Sequence, residues 1–288
     1  LSPPCLLLGC AMRFSERMTV FNVSVAICAL VSVYGLFNPL KLARYSSAIT
    51  QSSLQQFDWF FLLTCSTLIL VSAYLAFGKY GSIKIGKESD QPEYKTASWL
   101  AMLFAAGMGS GLVFWGVAEP LTHFTANTPG APEEVFDRAR WSLVLSNLHW
   151  GFHAWAIYAV SALTIGYFAF RKRTTMIASG PILYTYKGKL AKGLGGIADT
   201  LAILSVVFGV VGALGMGTLL IRHGLHEIFG TSDHSFPIML AILLCLSVAM
   251  TISALSGLSR GIQILSNMNI IMAIALLLFV LFSGPTHF

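Results

Sequence analysis

The sequence predicts an all-helical protein that crosses a membrane about seven times, and three observations predict it. First, 56% of the 288 residues are apolar or aromatic and only 10% are charged. With a mean hydropathy of +0.73, this composition lies outside that of ordinary soluble domains. Second, apolar stretches near 19–37, 57–77, 97–122, 141–170, 197–221, 236–255 and 264–283 are each long enough to span a bilayer core of ~30 Å, which takes about 20 helical residues. Third, the 18 Lys and Arg residues are unevenly spread. With the N-terminus in the cytoplasm, only Lys41, Arg44, Arg138, Arg140 and Arg222 fall outside, which is the positive-inside pattern. The formal charge of +6 is therefore topogenic. It predicts a multi-pass protein of the cell (inner) membrane whose partner is the lipid bilayer, with no nucleic-acid partner.

Taken in order, the first span follows Arg13 and Arg17. Residues 1–11 lack an initiator Met and are too short in apolar run for a signal-peptide core, so this span is expected to be retained. The second span leads into a polar cytoplasmic connector, 78–96, punctuated by Gly78, Gly81, Gly86 and Pro92. The third, 97–122, is interrupted by glycines. It ends at an acidic outer loop, 123–140, with Pro129 and Pro132 as breakers. The fourth, 141–170, carries aromatic residues near its start. A cytoplasmic loop follows over 171–196, opening with Arg171-Lys172-Arg173 and closing with Gly193, Gly195 and Gly196, with room for a surface-lying piece. Asp199 is expected to cap the fifth span. The sixth and seventh spans are uniformly apolar. Seven spans from a cytoplasmic N-terminus leave Phe288 outside, just past the last one, so the chain is expected to stop mid-protein. The five cysteines show no metal-binding spacing and predict no disulfide framework.

The run Gly107-Met108-Gly109-Ser110-Gly111 inside the third span is the first candidate site. Glycine costs about 1 kcal/mol relative to alanine in a helix interior. In hydrocarbon, an opened backbone survives only against protein or a water-lined cavity. Unwinding here would expose carbonyls to a cation and amides to an anion. A small-residue packing face is the alternative. Glu119, near the outer end of the same span, is an intramembrane acid, with interfacial anchoring as the simpler reading. His149 and His153, at i and i+4, would chelate a metal only with a third ligand. A membrane enzyme using His149, His153 and Glu119 is one alternative function, and a non-transporting ligand-binding membrane subunit is another.

Several motifs occur together in a fixed order. They are Met102-Leu103-Phe104-Ala105-Ala106-Gly107-Met108-Gly109, Gly116-Val117-Ala118-Glu119-Pro120 and His149-Trp150-Gly151-Phe152-His153-Ala154-Trp155-Ala156-Ile157-Tyr158. Then come Phe208-Gly209, Leu214-Gly215-Met216-Gly217, Ser256-Gly257-Leu258-Ser259-Arg260-Gly261-Ile262, Leu265-Ser266-Asn267 and Gly284-Pro285-Thr286. On these motifs the chain resembles the betaine/carnitine/choline transporter family from about Asn22 to Pro285. The resemblance implies a LeuT-like inverted-repeat transporter fold: two leading helices, then two inverted five-helix repeats. The expected division is therefore 19–96 for the two leading helices and connector and 97–284 for the first repeat, within a single membrane domain, 1–288. The second repeat is expected to be absent, leaving about half of the binding site.

The resemblance also implies a function: secondary active transport of a quaternary-ammonium compound such as choline, glycine betaine or carnitine. It implies no enzyme activity, no cofactor beyond a coupling ion (sodium or proton), and a homotrimer. A quaternary ammonium cannot donate a hydrogen bond, so ring faces must recognise it, Trp best. Trp150, Trp155 and Tyr158 match the family's aromatic box. On an ideal helix at 100° per residue, Tyr158 and Trp155 lie about 80° and 140° from Trp150, on one broad face. Gly107, Met108, Gly109, Ser110, Gly111 and Trp115 would form the other wall, with Phe114 a secondary candidate. The backbone oxygens of Ala105 and Met108 map onto a family sodium site. Two departures stand out. Family members often carry Ile where this chain has Ser110. Val206 and Val210 replace two threonines that supply hydroxyls to a second sodium, and a methyl group is no ligand for a hard cation.

Overall fold

The computed structural model describes residues 14–107, 109–126, 130–231, 235–257 and 261–284. Among them there are ten α-helices and no strand. α1 (Phe14–Phe37) and α2 (Pro39–Phe77) lead. α3 (Thr96–Gly107) and α4 (Ser110–Thr125) together form the third span. α5 (Val135–Leu148) runs through a π-helical segment, His149–His153, into α6 (Ala154–Gly166) and a second π segment, Tyr167–Arg171. The short α7 (Ser179–Thr185) precedes α8 (Lys189–Phe229), α9 (Phe236–Leu255) and α10 (Gln263–Ser283). Six described helices are long and apolar enough to cross a membrane, and the bent pair α3 and α4 makes a seventh.

The spans agree closely with the hydropathy reading where the apolar run is uniform. α9 has the predicted limits, and α10 starts one residue earlier. Two spans are far longer than predicted. α2 begins at Pro39, whose missing amide hydrogen suits the first helical turn, so the polar stretch 39–56 is helical. α8 begins at Lys189, which takes Gly193, Gly195 and Gly196 out of the expected loop. This also corrects the reading of Asp199. It lies ten residues inside α8 and caps another helix: its carboxylate accepts a 2.8 Å bond from the Ser179 backbone amide at the start of α7.

Two compact units make up the chain. One combines Leu1–Asp90 with Asn147–Phe208, the other Gln91–Ser146 with Gly209–Phe288. In the first, α2 packs on α6, and Leu183 of α7 packs with Ala191 of α8 and Val20 of α1. Arg171 ties this unit's two chain segments together, reaching Glu88 at 3.2 Å and the Gly86 carbonyl at 3.3 Å. In the second, α3 packs along α10, and Asn267 donates to Ser98 Oγ at 3.3 Å.

What is buried suits a lipid solvent. Apart from Leu183 and Asp199, the buried residues among those described are small or hydroxylic, such as Ala101, Ala156, Ser24, Ser142, Ser146 and Thr218, whereas Leu30, Leu70, Leu277 and Phe282 stand exposed. Lipid tails are as apolar as leucine, so close backbone approach through small residues holds such helices together. Ser142 and Ser146 satisfy their hydroxyls on the carbonyls four residues back, at 2.7 and 2.9 Å.

Candidate binding site

The glycine run breaks the third span. α3 closes at Gly107, Gly109 leaves the helix with φ −102° and ψ −144°, and α4 opens at Ser110. The two helices are bent by 58°. Met108, a candidate for both substrate and sodium, lies outside the described residues. The last four carbonyls of α3, including Ala105, have no acceptor duty within the helix, and the first amides of α4 have no partner there either. The negative end of one half-helix dipole and the positive end of the other therefore meet at the break.

The glycines divide between the two readings offered for them. A Cβ at Gly109 would meet nothing within 4 Å, so that position faces open space. One at Gly111 would touch Met216 of α8 at 3.8 Å and Trp115 at 3.9 Å. Gly111 thus lies against a neighbouring helix with room for a methyl group, whereas Gly109 marks the break itself. Trp115 is 39% exposed and stacks edge-on against Phe114, with ring centroids 5.0 Å apart. Further along α4, Pro120 removes an amide from the helix interior. Glu119 pairs with His123 one turn on, at 3.4 Å, with both side chains largely buried. The i,i+4 spacing was the signal for this partner.

The aromatic residues sit at the second break, in the other unit. Gly151 has φ −84° and ψ −138°, non-helical values inside the π segment. Trp150 lies before this kink, Trp155 and Tyr158 after it on α6. The ideal 100° spacing therefore holds between Trp155 and Tyr158 but not across to Trp150. Trp155 and Tyr158 pack with centroids 6.1 Å apart and planes tilted by 51°. Tyr158 is 55% exposed, so about half of its surface is left uncovered by the rest of the chain. His149 and His153 belong to the same π segment. Val206 and Val210, one turn apart on α8, line apolar clefts, Val206 beside Ala202 and Ile203 and Val210 beside Val113 and Met250. Neither supplies an oxygen.

Apolar helices of membrane-crossing length, two of them broken at glycines, define the class: a helical multi-pass membrane protein with interrupted spans. The chain belongs to the betaine/carnitine/choline transporter family, whose model matches residues 19–288. It is 38% identical to the glycine betaine transporter OpuD of Bacillus subtilis, over 93% of this chain and 52% of the relative. It is 35% identical to a glycine betaine transporter of Acinetobacter baylyi, over 95% and 41%. With the betaine/ectoine transporter LcoP of Corynebacterium glutamicum it shares 34% identity, over 96% and 44%. The chain thus spans about half the length of the curated relatives it matches, or less. These relatives are named transporters, so the metalloenzyme reading of Glu119, His149 and His153 gives way.

Proposed function

We propose that this chain forms the first half of a secondary transporter for a small quaternary-ammonium osmolyte, with glycine betaine the leading candidate. The observation that carries the reading is the Trp155–Tyr158 pair on α6, directly after the Gly151 kink, with Tyr158 about half uncovered. Ring faces attract a trimethylammonium group through their quadrupoles, and a group without N–H offers no hydrogen bond. Trp150 would complete the cage on the other side of the kink. Gly107, Met108, Gly109, Ser110 and Gly111 would meet the rest of the ligand, the amides opening α4 suiting a carboxylate. That suits betaine or carnitine better than choline, which has no carboxylate.

The names of the relatives favour betaine as well, since two of those described carry it without qualification. Residues 97–284 would be one five-helix repeat, with 19–96 the two leading helices and their connector. The coupling ion would be sodium, through Ala105 and Met108, or a proton, since Val206 and Val210 offer nothing to a second sodium. Glycine betaine, carnitine, choline and ectoine, titrated in turn against the intrinsic Trp fluorescence of the purified protein, test the reading. Quenching by betaine at lower concentration than by the others is the expected result. A protein that answers none of the four contradicts it.

A further inference from the structure

The unit that holds α1 and the first part of α8 contains a cleft of about 510 Å³, bounded by α1, the segment just before α7, and α8. Two residues of opposite charge line it, Arg17 of α1 and Asp199 of α8, and no other charged residue does among those described. Arg17 is exposed, whereas Asp199 is only 7% exposed. One Asp199 oxygen accepts the Ser179 amide hydrogen, yet neither Arg17 nor Asp199 forms an ion pair among the described residues. A buried carboxylate without a cation costs free energy. The remaining lining is apolar except for Thr175, with Val20 and Phe21 on one side and Ala202 and Ile203 on the other. The apolar runs of these two helices open near 19 and 197. Arg17 and Asp199 therefore stand at one membrane boundary, the cytoplasmic one on the positive-inside pattern, and the apolar lining continues from it to hydrocarbon depth.

We propose that this cleft binds a phospholipid with a primary-amine headgroup, of the phosphatidylethanolamine class. One cation and one anion on the protein match one anion and one cation on such a lipid. The Arg17 guanidinium suits the phosphate, which it can hold through two parallel N–H donors. The lipid ammonium has three N–H donors, and the Asp199 carboxylate has an oxygen to accept one. A lipid with phosphate alone would bring like charge to Asp199. One with a trimethylammonium head has no N–H for the carboxylate to accept. The acyl chain would follow the apolar lining, where Val206, unable to serve a cation, presents methyl groups to it.

Native mass spectrometry of the purified full chain tests the assignment, with phosphatidylethanolamine, phosphatidylcholine and phosphatidylglycerol of identical acyl chains titrated in turn. Phosphatidylethanolamine should be retained at about tenfold lower concentration than either of the others, as expected for one charge-assisted hydrogen bond. Asp199→Asn, whose amide oxygen still accepts from Ser179, should abolish that preference. Arg17→Gln should weaken retention of all three lipids, by about tenfold. Arg17 is exposed, so its variant decides the matter should the buried Asp199 variant fail to fold. Equal retention of the three lipids, retention of none, or a preference for phosphatidylglycerol would each overturn the proposal. So would a preference unchanged in Asp199→Asn or full retention in Arg17→Gln. Betaine titration of the same samples reads the substrate proposal separately, since that concerns Trp155 and Tyr158.

Discussion

Tyr158 shows how much of the proposed chemistry rests on a ring face. Its ring is half exposed beside Trp155, and an ammonium held by a quadrupole needs the ring and not the hydroxyl. Tyr158→Phe should therefore keep betaine affinity within about twofold, whereas Tyr158→Ala should lose roughly 0.5–1 kcal/mol, measured by fluorescence titration. A larger loss in the Phe variant would assign the hydroxyl a direct part. Asp199 does structural work of a different kind. Removing its carboxylate in Asp199→Ala frees the Ser179 amide and should cost about 1 kcal/mol, read as faster proteolysis within 172–188. That Trp155 and Tyr158 share one side of a helix was legible in the sequence because both sit on one regular helix, where spacing fixes direction. The role of Asp199 was not, because its partner lies 20 residues upstream and only the fold brings it near. His123 was within reach, since Glu119 and His123 stand at helical spacing on one element.

Two breaks dominate at the level of the helix. Gly109 interrupts the third span and Gly151 the fourth, and at both a Cβ would meet nothing within 4 Å. Alanine therefore fits at either position, and its higher helix propensity, about 1 kcal/mol, would favour a continuous helix. Gly109→Ala and Gly151→Ala should leave thermal stability equal or higher while weakening ligand binding. Variants that bind betaine as the parent does would show that neither break serves the site. The first break was legible because three glycines alternate within five residues. The second was not, because a single glycine in an apolar run is compatible with an ordinary helix. Hydropathy located α9 and α10 closely because it measures the quantity that places them. It missed the first 18 residues of α2, a polar helix continuing an apolar one, although Asn38-Pro39 is a recognisable start.

For the whole molecule, the charge distribution predicts one topology. The connector holding Lys84 and the loop holding Arg171 would face the cytoplasm, and the acidic segment around Glu134 the outside. Single cysteines at Lys84 and Glu134 should react oppositely with a membrane-impermeant thiol reagent in intact cells, position 134 readily and position 84 only after lysis. The reverse pattern would invert the orientation. The membrane class and the span count were legible from composition, since the bilayer imposes both. The grouping into two compact units, each built from separated chain segments, was not, because local sequence does not record which helices pair. The central claim is recognition of a quaternary ammonium by the α6 aromatics. It is tested most directly by titrating glycine betaine against the parent chain and Trp155→Ala side by side. A loss of about 1 kcal/mol or more in the variant, with the helical circular dichroism retained, is the predicted result. Equal affinity in the two proteins would contradict it.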